Sequence, residues 1–584
     1  MHYLNILYGL LGLSFLVFIH ELGHFLVARY FKMRVETFSI GFGPTLFAKT
    51  HKGVLYRLAL IPFGGYVKVQ GMDEDSQEEG SYYNKRPYQR LLMVLAGPVI
   101  NMVFAFLGFC FIYFCGGFYR DSVDSSKLIG MVEPDAKLYA EGVRAGDILE
   151  SINGNAIVGR KELFFQTILN NPTSQVNGIS VNYLVGTKRP FSVEVEPKKE
   201  NFRGIEFNTI GLNGFASYLL FDLKRVNGQG MLADSPMKES GIMDGDRLLW
   251  VNGELVFSRD QLQNLLSEKK AFLTILRDHK VIQVKVPKIA LADITLTAEE
   301  KEEINDLRFE AKIPQGEDLL FIPYLIDHDG IVCSKFEKAE DSCLKPYDRI
   351  LAVDGVKTVF GADALQLLQK KHAVMITAHG SYAPLEQNGS DSQFFAEVNF
   401  KELDRLISQI GIQAPGFEVG NLRLLKSVVP MEFEHQGSIF YRLGISLVDR
   451  QVKVNPNPIA QFQAGVGEIS KLLGHLTHGE LSPKYLSGPI GIVGAMQKGW
   501  SESFKDGVFW LSTISLNLGV MNLLPLPVLD GGHIVLNLFE MLFKRRVDRK
   551  VMERIFVPFI ILLIGFALFV TFHDIMKIFG MLRF

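Results

Sequence analysis

LNILYGLLGLSFLVFIHELGHFLVA, Leu4 to Ala28, is an apolar run that holds three ionisable residues: His20, Glu21 and His24. A helix crosses a bilayer with about 20 mostly apolar residues, and this run has the length. On a helix, positions i and i+4 share a face, so both imidazoles can reach one ion. Glu21 then stands beside them, placed as the general base for a metal-activated water. Ionisable groups at membrane depth are costly, so three of them in one span point to function. The run lacks the positive leading segment and small-residue cleavage site of a signal peptide, and cleavage would discard the H-E-x-x-H.

Three further runs have the same character. Leu91 to Cys115 contains no charged residue, Val508 to Phe543 is broken by Pro525, Pro527, Gly531 and Gly532, and Ile555 to Phe572 is continuous. The expected fold is a polytopic α-helical membrane protein with four transmembrane helices. The chain has 584 residues, a net charge of −2 and 48% hydrophobic residues, gathered at its two ends around a polar middle. Its length points to several domains. No dense Lys/Arg block offers itself to nucleic acid, so no such partner is expected. Lys and Arg do gather between the first two runs, from Arg29 to Arg90, and in KRRVDRK, Lys544 to Lys550. Those short loops belong in the cytoplasm, which puts both termini and the long middle outside it.

A catalytic zinc usually has three protein ligands and a water, so a third must come from elsewhere in the chain. NLLPLPVLDGGH, Asn522 to His533, lies in the broken run and holds a single carboxylate, Asp530. Irregular backbone at membrane depth is tolerated only where it is buried in protein or lines a cavity. A carboxylate there serves as a charge partner or a metal ligand. His533, three residues on, is the alternative.

The polar middle repeats itself. DILESING (Asp147 to Gly154), DRLLWVNG (Asp246 to Gly253) and DRILAVDG (Asp348 to Gly355) share one pattern. Each reads as a strand ending in an Asn-Gly or Asp-Gly turn, followed by a helix and another strand. With EGVRAGD (Glu141 to Asp147) and SGIMDGD (Ser240 to Asp246) before the first two octets, the repeats resemble PDZ domains of the bacterial protease-associated kind. The third copy departs, with Cys343 and Tyr347 where the others have glycine. The expected organisation is a membrane half at 1–118, inserted α+β PDZ-like domains at 125–200, 203–290 and 318–405, a linker with a surface helix at 406–500, and a second membrane half at 501–584. PDZ domains bind peptide termini by adding a strand to a sheet edge. Within the linker, Pro458 to Leu476 is amphipathic by spacing and suits either the membrane surface or the soluble region.

HELGH, GFGP (Gly41 to Pro44), AGPVIN (Ala96 to Asn101), SGPIGI (Ser487 to Ile492) and NLLPLPVLDGGH together resemble the site-2 protease family, in particular its bacterial branch with periplasmic PDZ domains. The resemblance implies that His20, His24 and Asp530 bind Zn2+ and that Glu21 is the base. It implies a bacterial inner-membrane endopeptidase, acting by regulated intramembrane proteolysis on single-pass membrane proteins such as an anti-sigma factor or remnant signal peptides. It implies that IPFGGYVKV, Ile61 to Val69, is a membrane-associated β-element holding substrate along Gly64, Gly65, Tyr66 and Val67, with Asn522 on the other side. A third repeat is one more than that branch carries.

Physics supports the strand reading independently. A helical peptide bond is shielded by its own hydrogen bonds, and unwinding it in hydrocarbon strands polar groups at several kcal/mol each unless a sheet edge takes them up. Cys110 and Cys115 read as apolar filler. Cys333 and Cys343 lie on the oxidising side, where a disulfide could persist. A catalytically silent scaffold would have no use for Glu21, and a transporter would not explain H-E-x-x-H.

Overall fold

Residues 2–72, 78–169, 171–202, 205–224, 230–315, 319–336, 343–380, 383–386, 394–435 and 438–582 are described by a computed structural model. The apolar run folds as helix α1, His2–Tyr30. Lys32 takes a left-handed conformation, φ 53°, while Met33 N–H bonds to Ala28 O at 2.8 Å and Lys32 N–H to Arg29 O at 3.1 Å. This pair of bonds satisfies the last carbonyls and turns the chain. Strands β1 (Val35–His51) and β2 (Val54–Val69) follow as a hairpin, its tip at Lys52-Gly53 with positive φ at both residues. The hairpin is folded on itself, so that Thr37–Ile40 is flanked by Leu55–Leu58 on one side and by Gly65–Lys68 on the other. Helix α2, Pro87–Phe114, starts on a proline, which suits the first helical position.

The C-terminal half contributes α3 (Pro458–Thr477), α4 (Pro489–Glu502), α5 (Phe504–Asn522), α6 (Asp530–Phe543) and α7 (Arg549–Leu582). Among the described residues, three helices are long and apolar enough to cross a membrane, at Leu7–Tyr30, Pro87–Phe114 and Lys550–Lys577. The run from Val508 to Phe543, expected as the third of four spans, folds as two helices, α5 and α6, on either side of the loop that holds Pro525 and Pro527. Pro525 and Pro527 cannot continue α5, which also carries Ser512, Thr513 and Ser515. The turn then packs so tightly that a Cβ on Gly531 would lie 1.9 Å from Leu524 O, and one on Gly532 2.4 Å from Leu526 O.

All three octets form the strand and turn read from sequence. Positive φ falls on Asn153 and Gly154, on Asn252 and Gly253, and on Asp354 and Gly355. Each leading aspartate is buried and accepts the N–H three residues before it: Asp147 from Arg144, Asp246 from Met243, Asp348 from Lys345. Pairing then diverges. The first octet strand, Ile148–Ile152, pairs with Ser174–Asn182 just after its own helix. The second, Asp246–Val251, pairs with Met375–His379, which follows the helix of the third copy. The third, Arg349–Val353, pairs with Lys270–Arg277, which follows the helix of the second. The turn side chains track the exchange: Asn153 accepts from Gln175 N–H at 2.8 Å, Asn252 from Val374 at 2.9 Å, and Asp354 from Phe272 at 2.7 Å. Pairing therefore runs across the expected boundaries at 203–290 and 318–405. The physical reason the sequence does not reveal this is that AFLTILR (Ala271 to Arg277) and AVMITAH (Ala373 to His379) are both short apolar strands, alike in length and character.

A two-stranded stem joins the array to the membrane half. Phe118–Asp121, just after α2, pairs antiparallel with Gln451–Val454, just before α3. Helix α3 lies between the two regions: Lys161 meets Glu468 at 2.6 Å on the array side, and Phe462 packs on Phe106 of α2 on the other. It is thus a packed bridging helix. All four cysteines are free.

Candidate metal centre

Helical spacing brings His20 and His24 together, with their Nε2 atoms 3.2 Å apart. Asp530 is the first residue of α6, where the helix dipole favours a carboxylate. Its Oδ2 lies 3.1 Å from His20 Nε2 and 3.5 Å from His24 Nε2. Four-coordinate zinc with bonds of about 2.0–2.1 Å has ligand–ligand edges of about 3.3 Å, and these three distances bracket that value. The donor set, two imidazoles and a carboxylate, also fits zinc.

The neighbouring helix prepares both imidazoles. His24 Nδ1 lies 2.9 Å from the carbonyl oxygen of Met93, so Nδ1–H donates there and Nε2 is left with a lone pair toward the ion. The Asn101 amide lies 3.2 Å from His20 Nδ1, and its Oδ1 is fully buried without a partner. Amide nitrogen and oxygen are interchangeable by a flip, which lets Oδ1 accept from His20 Nδ1–H and satisfies both groups. The approach of α1 to α2 depends on glycine: a Cβ on Gly97 would stand 2.3 Å from His24 Nε2, and one on Gly23 2.5 Å from Ala96 O. Sequence reasoning singled out AGPVIN without assigning these roles. The signal was present in the motif, but its partners lie on another helix.

Glu21 is 7% exposed, so its carboxylate is buried beside the two imidazoles. A Cβ on Gly65 would come within 3.0 Å of Glu21 Cγ, so the hairpin passes directly beside that carboxylate. Tyr66 stacks on Phe42, and Gly64 needs its positive φ of 93°. Among the described residues no further strand pairs with Gly65–Val69. Asn522 closes α5, half-buried, just before the loop that leads to Asp530. His533 is not part of the cluster; its ring packs on Phe556, and it lines a cavity of about 500 Å³ with Tyr82, Arg90, Asn537 and Glu540. There the buried Arg90 pairs with Glu540 at 2.8 Å and fastens α6 to α2.

Two imidazoles, a carboxylate and a second carboxylate left free beside them make up the site of a metallohydrolase. Comparison with known proteins narrows that class. Residues 8–566 match peptidase family M50. A protein of Chlamydia trachomatis named "Putative zinc metalloprotease" is 34% identical over 97% of this chain and 98% of its own length. A similarly named protein of Chlamydia pneumoniae is 34% identical over 98% of each chain, and one of Thermotoga maritima is 26% identical over 98% of this chain and 99% of its own. The chain belongs to peptidase family M50, the site-2 proteases, and is by that membership a zinc-dependent peptidase of membranes.

Proposed function

We propose that this peptidase cuts transmembrane segments of single-pass membrane proteins, within the bilayer, at the centre formed by His20, His24 and Asp530. The observation that carries the reading is the meeting of these three side chains inside apolar helices, with Glu21 pressed against a strand edge. His20, His24 and Asp530 would hold a zinc ion, which when bound would supply a Lewis acid for the scissile carbonyl and the attacking water. Glu21 takes the proton of the attacking water and returns it to the leaving nitrogen. Asn101 and the Met93 carbonyl hold the imidazoles in the tautomer that leaves Nε2 free. The edge at Gly64, Gly65, Tyr66 and Val67 takes up the backbone of an unwound substrate, and Asn522 steadies its other side.

The three repeats act as PDZ-like filters outside the cytoplasm, and the chain resides in the bacterial inner membrane. Charge in the loops supports this orientation. The test is a census of membrane-protein fragments in cells carrying wild type or Glu21→Gln. Termini inside transmembrane segments should vanish in the variant. If they persist at wild-type abundance, another enzyme makes them and the reading fails.

A further inference from the structure

SGPIGI, Ser487 to Ile492, stands at the start of α4, away from the metal centre, and the chemistry above leaves it without a role. Facing it is Asp574, a carboxylate on α7 that is only 3% exposed. Ionisable groups at such positions are expected to have a specific partner. Here the partner is the N-terminus of α4: Gly491 N–H donates to Asp574 Oδ2 at 2.8 Å. Free N–H groups and the helix dipole both favour an anion at that end. The two glycines of the loop make room for it. A Cβ on Gly488 would lie 2.9 Å from Asp574 Oδ2, and one on Gly491 3.2 Å from both carboxylate oxygens. Lys577, one turn along, reaches Leu486 O at 3.3 Å and lies 3.9 Å from Asp574.

The contact stands out because α7 has so few others. Its apolar window is 6% buried, against 39% for the first span and 33% for the second. Residues 557–569 are exposed on every face, and burial resumes only at Val570, beside Gly488. Helix α4 in turn lies on the outer part of α1. A Cβ on Gly9 would meet Val493 O at 2.9 Å, and one on Gly12 would meet Met496 Cε at 2.1 Å. Leu13 and Leu16 of α1, the latter one turn before His20, share a buried cluster with Val493 and Met496.

We infer that Asp574 is a positioning residue: its carboxylate seats the last span on the SGPIGI loop, and α4 passes that constraint to the helix bearing HELGH. The inference rests on the intramembrane peptidase reading for its effect on rate, but not for the docking itself. Two readouts separate them. In the full chain, Val570→Cys reports docking through its labelling by a membrane-permeant alkylating reagent, read on the peptide by mass spectrometry. The cysteine should be protected beside Asp574 and labelled several-fold faster with Asp574→Leu. Asp574→Asn keeps one acceptor oxygen and should fall between. On a transmembrane substrate, Asp574→Leu should lower kcat at least tenfold with KM and zinc content near wild type, and Asp574→Asn should recover part of the loss. Unchanged labelling in Asp574→Leu overturns the docking. Faster labelling with unchanged kcat, or a kcat loss matched by zinc loss, overturns the positioning role. A parent chain that cuts no transmembrane substrate defeats the peptidase reading, while the labelling result still decides the docking.

Discussion

His20 and His24 meet through a single turn of one helix, whereas Asp246–Val251 finds its strand partner on the far side of the third repeat. In the membrane half, the chemistry is written in short motifs whose geometry follows from helical periodicity. In the array, the local elements are equally clear, yet which strand joins which sheet depends on two apolar segments of nearly the same character. A helix specifies its own neighbours at i+4, but a strand specifies only an edge to fill. Changes in the two regions should therefore fail in different ways.

The largest effect is expected at Glu21. Glu21→Gln should lower the rate by about 10²–10⁴ while keeping zinc, because the amide cannot accept the water's proton. Metal analysis and a cleavage assay on the same sample check this, and activity within about tenfold of wild type removes Glu21 from the role. Asp530→Asn comes next and should lose zinc and activity together, since a neutral amide is a poor substitute for an anionic ligand. His533→Ala should keep its zinc. The reverse pattern in a metal assay would make His533 the third ligand.

The array can be broken in two ways that differ only in where the cuts fall. Removing 318–405, the boundary expected from sequence, takes away Met375–His379 and should unfold the second repeat. Val374, Met375 and Ile376 are at most 1% exposed, and burying such side chains contributes about 1.5–3 kcal/mol each. Removing 268–371 with a short flexible linker instead should leave that repeat folded. Limited proteolysis distinguishes the two, and equal resistance would show that the exchange is not obligatory. The smallest effect belongs to Tyr347, which holds a φ of 72° where the first two copies have Gly146 and Gly245. A non-glycine residue there costs about 1–2 kcal/mol, offset in part by the chain entropy that glycine loses. Tyr347→Gly should raise stability by about 1 kcal/mol at most, read as a small rise in the denaturant midpoint of the intact chain.

Much of the candidate site could be read from the sequence for a physical reason. H-E-x-x-H needs only a helix to become a two-imidazole face, and Asp530 was the sole carboxylate in a segment that prolines had to break. The sequence already favoured Asp530 over His533, and the coordinates add how the loop from Leu523 to Leu529 aims the start of α6 so that Asp530, and not His533, joins the cluster. Asn101 and Gly97 lay inside a quoted motif, but their roles are relations between helices that periodicity cannot reveal. The same holds for SGPIGI, whose partner Asp574 is 83 residues further along the chain. In the array, the octets were legible down to their turn residues, and the strand exchange was not.

The stem at Phe118–Asp121 and Gln451–Val454 has a mechanical consequence. The chain leaves the membrane half and returns to it side by side, and the first repeat also rests on α3 and the segment after it, where Ile168 and Leu169 share a buried cluster with Leu481 and pack against Leu472. A load on the array therefore reaches the helices at two places, through the neck onto α2 and α3 and through the first repeat onto α3. Neither place lies on α1 or α6, so such a load bears on the neighbours of the helices that carry His20, His24 and Asp530, and the second contact keeps the array from swinging about the neck.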